Sequence, residues 1–218
     1  MKISFVTSGF PNGFTEEFAT EIKKHLVQQG HFVFVASDFQ AHDKTVWYCN
    51  HFLDAFKQKG IVFEAAQVID FEITPEAAKE HIQKADIVWL AGGPVLTQIA
   101  HIKEYDLIGA LRGRDGITIG MSAGSINMAR RVVLARDLND NVPDLSVYEG
   151  IGLVDFNIEP HFNTAAPQHI EDIQEAAALV PIYALHDEAF VKDIDGNHTF
   201  FGQYQVFDER KTADAHSH

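Results

Sequence analysis

The run Ile117-Thr118-Ile119-Gly120-Met121-Ser122-Ala123-Gly124 changes character halfway along. Residues 117–120 form a buried strand by their composition, whereas 123–130 read as a helix, so the chain must turn sharply at Met121-Ser122. Glycine at 120 and at 124 permits a tight, strained bend and close packing of strand against helix. The Ser122 hydroxyl is then carried at the carboxyl end of a sheet.

The same alternation extends on both sides of this bend. Upstream, strands are expected over 2–7, 31–36, 61–69 and 86–91, with helices over 15–29 and 43–58, from 74–76 onward, and from about Val95. Thr15 is a suitable N-cap with Glu16 and Glu17 in the first turn and Gly30 as the stop, and Thr74-Pro75-Glu76 joins an N-cap to a proline at the first helical position. Downstream, 137–143 has the composition of a loop, 153–158 of a strand and 167–179 of a helix. Strands follow over 182–185, 190–192 and 199–207, with Asp195-Gly196 as a hairpin turn. The pattern predicts an α/β fold of three layers, a mostly parallel sheet with helices on both faces. No repeat or linker divides the chain, so one domain is expected over 1–212, followed by a disordered polar tail over 213–218.

Composition narrows the function. The 218 residues are 46% hydrophobic and 22% charged, enough to bury a core without disulfides or metals. With 31 acidic residues against 17 basic, the net charge of -14 repels phosphate backbones and anionic lipid, which argues against nucleic acid and membrane partners. The one cysteine, Cys49, closes the apolar stretch Val46-Trp47-Tyr48-Cys49 and reads as a buried, inert thiol. The apolar run after Met1-Lys2 ends at Val6, too short for a signal-peptide core, and no other segment approaches the roughly 20 apolar residues of a membrane span. A cytoplasmic location is expected.

A serine hydroxyl becomes a useful nucleophile only with a base to take its proton, a group to orient that base and donors for the developing oxyanion. Ser122 supplies the nucleophile. Gly92-Gly93 ends another apolar strand ahead of a helix, so the Gly93 N–H, with that of Ala123, is a candidate oxyanion hole along the edge where ligand crevices form. His161, in Glu159-Pro160-His161-Phe162-Asn163, follows the strand expected over 153–158 and is the candidate base. For the orienting acid the residues leave three candidates: Asp187 and Glu188, just past the strand over 182–185, and Asp137, after the Ser122 helix. The histidines show no His-x-x-x-His or similar ligand pair on a helix, and this chemistry requires no metal or organic cofactor.

Gly92-Gly93, Gly120-Met121-Ser122-Ala123-Gly124, Pro160-His161-Phe162 and Ala184-Leu185-His186-Asp187 occur in the order seen in peptidase E (aspartyl dipeptidase) and its relatives, the cyanophycinases, which this chain resembles over nearly its whole length. The resemblance implies a flavodoxin-like sheet related to class I glutamine amidotransferases, with serine in place of their cysteine. It implies Ser122 as nucleophile and His161 as base, with Gly93 in the oxyanion hole. The family's glutamate would fall on Asp187 rather than Glu188, and the aspartate also proposed for the family would match Asp137. Two departures stand out: Pro94 follows Gly92-Gly93 where the family often has asparagine, and 168–172 lacks the arginine that pairs with an acidic substrate. From 137 to 209 there is no arginine, and Lys192 is the one fixed cation. An unpaired substrate carboxylate would cost on the order of several kcal/mol to bury, so strict aspartyl specificity is not expected, and an acidic wall suits a free amino group instead.

The expected activity is cleavage of a peptide or isopeptide bond in a small peptide through an acyl-enzyme, the small peptide being the partner and a homodimer an allowed assembly. Two alternatives stand beside it. An esterase of the α/β-hydrolase order would need a late histidine, for which His198 is the candidate outside the tail. A non-catalytic ligand-binding member of the same architecture would leave Ser122 unreactive.

Overall fold

The computed structural model describes residues 1–138 and 141–209, so the tail expected over 213–218 lies outside the described residues. In chain order the elements are β1 (Lys2–Thr7), α1 (Glu16–His25), β2 (His31–Val35), α2 (His42–Gln58), β3 (Ala65–Ile69), α3 (Pro75–Lys84), β4 (Ile87–Leu90), α4 (Val95–Glu104), α5 (Ile108–Gly113), β5 (Gly116–Met121) and α6 (Ala123–Asn127). There follow β6 (Arg131–Leu134), β7 (Ser146–Glu149), β8 (Asn157–Glu159), α7 (Pro167–Ala177), β9 (Ile182–Leu185), β10 (Phe190–Ile194), β11 (Asn197–Phe201) and β12 (Tyr204–Phe207).

Seven strands form the central sheet in the order β11-β10-β1-β5-β4-β2-β3. The last five in that order run parallel, and β10 and β11 close one edge antiparallel. Parallel strands covered on both faces read as unbroken apolar runs, and β4, Ile-Val-Trp-Leu, is buried at every position. One face packs an aromatic layer that includes Phe5, Phe18, Phe32, Phe56 and Trp89. The other is largely aliphatic, with Val33, Leu90, Ile99, Ile102 and Leu111. Thr15 and Thr74 cap α1 and α3, accepting hydrogen bonds from the N–H groups of Phe18 and Ala77. Cys49 is 3% exposed in the aromatic layer, and burial pushes its thiol up to about 12, the inert state its sequence context implies.

Several elements differ from expectation. The helix after Ser122 ends at Asn127 rather than 130, because the carbonyls at its end accept from the returning chain: Ile151 N–H to Asn127 O at 2.7 Å and Leu153 N–H to Met128 O at 2.8 Å. Residues 151–154 are thereby occupied, and of the strand expected over 153–158 only 157 and 158 pair as a strand, within β8. The strand expected over 199–207 breaks at Gly202, where φ is +80° and a Cβ would lie 2.9 Å from Ala189 Cα. β11 therefore stays in the central sheet, while β12 joins β9 and β8 in a second sheet. Helix α5 and the β6–β7 hairpin carry no local signal strong enough to have been anticipated. None of the described helices is long and apolar enough to cross a membrane.

Candidate active site

The carboxyl ends of the parallel strands define the site. From β2 the chain moves outward to β3, whereas from β4 it moves the other way to β5, so the winding reverses between β2 and β4. Crevices open beyond the strand ends at such a reversal. Ser37, Gly92-Gly93 and Ser122 follow the ends of β2, β4 and β5 at this edge.

Ser122 has φ +51° and ψ -115°, a conformation that costs a non-glycine residue on the order of 1–3 kcal/mol and persists only where its surroundings enforce it. Those surroundings are short-range and specific. The Ser122 N–H donates to Thr7 O at 3.0 Å and to Ser8 O at 3.1 Å, and the Thr7 hydroxyl donates to Gly120 O at 2.8 Å. Ser125 completes the clamp, donating through Oγ to Thr7 O at 2.7 Å and accepting from Thr7 N–H at 2.8 Å. The flanking glycines are sterically required: a Cβ on Gly120 would meet Ser125 Cα at 2.7 Å, and one on Gly124 would meet Leu90 O at 2.2 Å. Because the obstacle at Gly124 is the backbone of β4, Gly124→Ala is expected to destabilise the fold by about 3 kcal/mol or more, read from the urea midpoint. An unchanged midpoint would contradict this packing.

His161 also adopts a positive φ, +55°, just beyond β8. Its N–H donates to Ser8 Oγ at 2.7 Å, and the next residue, Phe162, donates to Leu185 O at 2.9 Å while its ring is buried against Phe207. The imidazole Nδ1 lies 2.7 Å from Asp187 Oδ1. The hydroxyl of Ser8, fully buried, lies 3.2 Å from Leu185 O and 3.4 Å from the same Asp187 oxygen, either of which can take its proton, and a Cβ on Gly9 would sit 2.6 Å from His161 Cε1. Ser8 and Gly9 are thus part of the site's frame. Their sequence context had marked only the end of β1.

The three candidate acids go to different places. Asp187 faces His161, with the two side chains about half exposed at 45% and 49%, open enough for a substrate to reach. Glu188 is turned away and accepts from Asn12 Nδ2 at 2.9 Å. Asp137 lines a cavity of about 280 Å³ together with Ser122, Ala123, Gly93, His161, Glu159 and His169. In its wall His169 Nε2 lies 3.2 Å from Glu159 Oε1, and that hydrogen bond, reinforced by the charges of Glu159, Asp137 and Asp172, raises the imidazole above its ordinary value. The stretch where the resemblance would put an arginine thus supplies a histidine already paired with a carboxylate.

Ser122 and His161 line this cavity together, and no hydrogen bond joins them among the described residues. Catalytic hydrogen bonds are often long in unliganded proteins and tighten as the reaction complex forms. No acceptor among the described residues takes the backbone N–H of Gly93 or Ala123. Gly93 has φ +136°, and a Cβ there would lie 2.3 Å from Ser37 Oγ. His198 is on β11, packed against Phe156 and Phe200, and lines other cavities than Ser122 does, so the esterase order lacks its base at this site. Among the described residues no three His, Cys, Asp or Glu side chains are grouped as a metal would need.

Comparison with known proteins gives a consistent answer. The model of peptidase family S51 matches residues 7–200. The fold is similar to the crystal structure of a protein named for peptidase E from Listeria monocytogenes EGD-e, with a TM-score of 0.65 and 17% identity over 95% of this chain and 98% of that one. It is also similar to a peptidase from an acI-B1 Actinobacterium, with a TM-score of 0.63 and 13% identity over 95% of this chain and 94% of that one. No curated protein matches the sequence.

Proposed function

Since this chain belongs to peptidase family S51, and is a serine peptidase of the dipeptidase E type, we propose that Ser122, His161 and Asp187 cleave a peptide or isopeptide bond in a small peptide through an acyl-enzyme. The observation that carries this reading is the 2.7 Å contact between His161 Nδ1 and Asp187 Oδ1, on an imidazole that lines the same cavity as Ser122. With Nδ1–H given to Asp187, Nε2 is the nitrogen left to accept the serine proton.

In the proposed reaction Ser122 Oγ attacks the scissile carbonyl as its proton passes to His161 Nε2, and the Gly93 and Ala123 N–H groups receive the oxyanion. Asp187 stabilises the imidazolium without taking its proton. His161 then protonates the leaving amine, and a water activated by the same imidazole releases the acyl group. Metal and organic cofactors have no part in these steps.

The cavity wall bears on the substrate. Asp137 and Glu159 contribute two carboxylates, neither lysine nor arginine lines the cavity among the described residues, and His169 is already engaged by Glu159. An amino-terminal aspartate would bring a third carboxylate into that wall, whereas a free α-amino group would be attracted to it. Assay of a dipeptide panel is expected to give cleavage with Asp-initiated members no faster than Ala-initiated ones. A preference of about tenfold or more for aspartate, worth about 1.4 kcal/mol, would overturn this assignment.

A further inference from the structure

A second cavity, of about 340 Å³, also opens at Ser122, and apart from the residues it shares with the first its walls take no part in the chemistry described above. It shares Gly93, Ser122 and His161 with the first, and otherwise the two are lined by different elements. The second is built from the end of β2, the start of α2 and the β4 turn, where the sheet's winding reverses. Phe34, Phe52, Tyr48 and Met121 give it apolar walls.

Its charge differs from that of the first cavity. Lys44, exposed in the first turn of α2, is the one lysine or arginine among the described residues that lines either of them. The lysines that pair with carboxylates among the described residues are Lys24, Lys59, Lys79, Lys84 and Lys192, and Lys44 is not one of them. The carboxylate that shares the cavity, Asp38, accepts from Gln40 N–H at 2.9 Å and lies 3.8 Å from His101 Nε2. Among the described residues, one cavity at the nucleophile is therefore lined by two carboxylates and no lysine or arginine, and the other by an ammonium outside the ion pairs formed there.

A dipeptide is charged in the same sense, with an ammonium on the acyl side of its scissile bond and a carboxylate on the leaving side. We infer that the second cavity is the leaving-group subsite, that Lys44 binds the free α-carboxylate of the leaving residue, and that the Phe34, Phe52 and Tyr48 walls take an apolar side chain there. The inference rests on the serine-peptidase reading of Ser122. It supplies a reason for a short substrate, because a longer peptide has a neutral amide where Lys44 expects a carboxylate. An exposed lysine and a substrate carboxylate attract one another modestly through the screening solvent, so the discrimination is a matter of binding, not of chemistry.

The test compares Ala-Phe with Ala-Phe amide on the wild type, Lys44→Met and Lys44→Arg. Wild type is expected to favour the free acid by about fivefold or more in kcat/KM, through KM, a size set by one charge-assisted contact at a solvated site. In Lys44→Met the ratio of acid to amide should fall towards one, and in Lys44→Arg it should be largely retained. Equal turnover of acid and amide by wild type, or a ratio unchanged in Lys44→Met, overturns the role of Lys44 and leaves the peptidase chemistry standing. Failure to cleave either compound while a fluorophosphonate still labels Ser122 overturns the subsite. Failure of both cleavage and labelling in folded protein removes the peptidase reading and the subsite with it.

Discussion

Ser122→Ala is expected to lower kcat/KM by about 10⁴-fold or more, with no measurable loss of stability. Both halves follow from the geometry of the bend. Every described interaction that holds Ser122 in place is made by its backbone or by Thr7, Ser8 and Ser125, and alanine keeps all of them. Alanine also keeps the Cβ, so the φ of +51° is no more strained than before. What disappears is the one atom that can form the acyl-enzyme, and the residual rate would come from binding and the oxyanion donors. The measurement is steady-state kinetics beside a urea unfolding curve, and activity within tenfold of wild type on a superimposable curve would show that Ser122 is not the nucleophile.

Substitution of the three carboxylates should separate them just as sharply. Asp187→Asn is expected to reduce kcat by about 10²- to 10⁴-fold, because an amide facing His161 Nδ1 presents a donor where the imidazole needs an acceptor and so favours the wrong tautomer. Ser8 sharpens the effect, since its hydroxyl and its link to the His161 N–H are arranged around the Asp187 carboxylate. Glu188→Gln should leave kcat within about threefold, a size typical of a surface substitution, as its carboxylate is bonded to Asn12. Asp137→Asn lies between them and should act mainly on KM, because Asp137 lines the cavity proposed for the substrate amino group. A larger fall in kcat for Glu188→Gln or Asp137→Asn than for Asp187→Asn would reassign the orienting acid.

How much of this was legible in the sequence depended on how local the cause was. The bend at Ser122 was legible because its determinants, an apolar strand, two glycines and a helical sequence, lie within a few residues of one another. Caps such as Thr15 and Thr74-Pro75 were legible for the same reason. The length of α6 was not, because it is set by hydrogen bonds from residues 151–154, far along the chain. Nor was the break at Gly202, where the approach of Ala189 demands a positive φ that a run of strand-forming residues does not announce. At the site, residue types alone left Asp187, Glu188 and Asp137 equal, and the likeness to peptidase E favoured Asp187 over Glu188. The structure adds the distances from β1: Ser8 tied to His161, Gly9 pressed against the imidazole and Asn12 drawing Glu188 aside. The available signal was two small residues, Ser8-Gly9, directly after a buried strand whose carboxyl end faces the crevice.

Activation of the Ser122 hydroxyl by His161 is tested by treating the protein with a fluorophosphonate and locating the adduct by peptide mass spectrometry. A single stoichiometric adduct on Ser122 is expected, formed rapidly by wild type, slowed by about 10³-fold or more in His161→Ala and absent in Ser122→Ala. Folded wild-type protein left unmodified at Ser122, or labelled there equally fast without the imidazole, would contradict that activation.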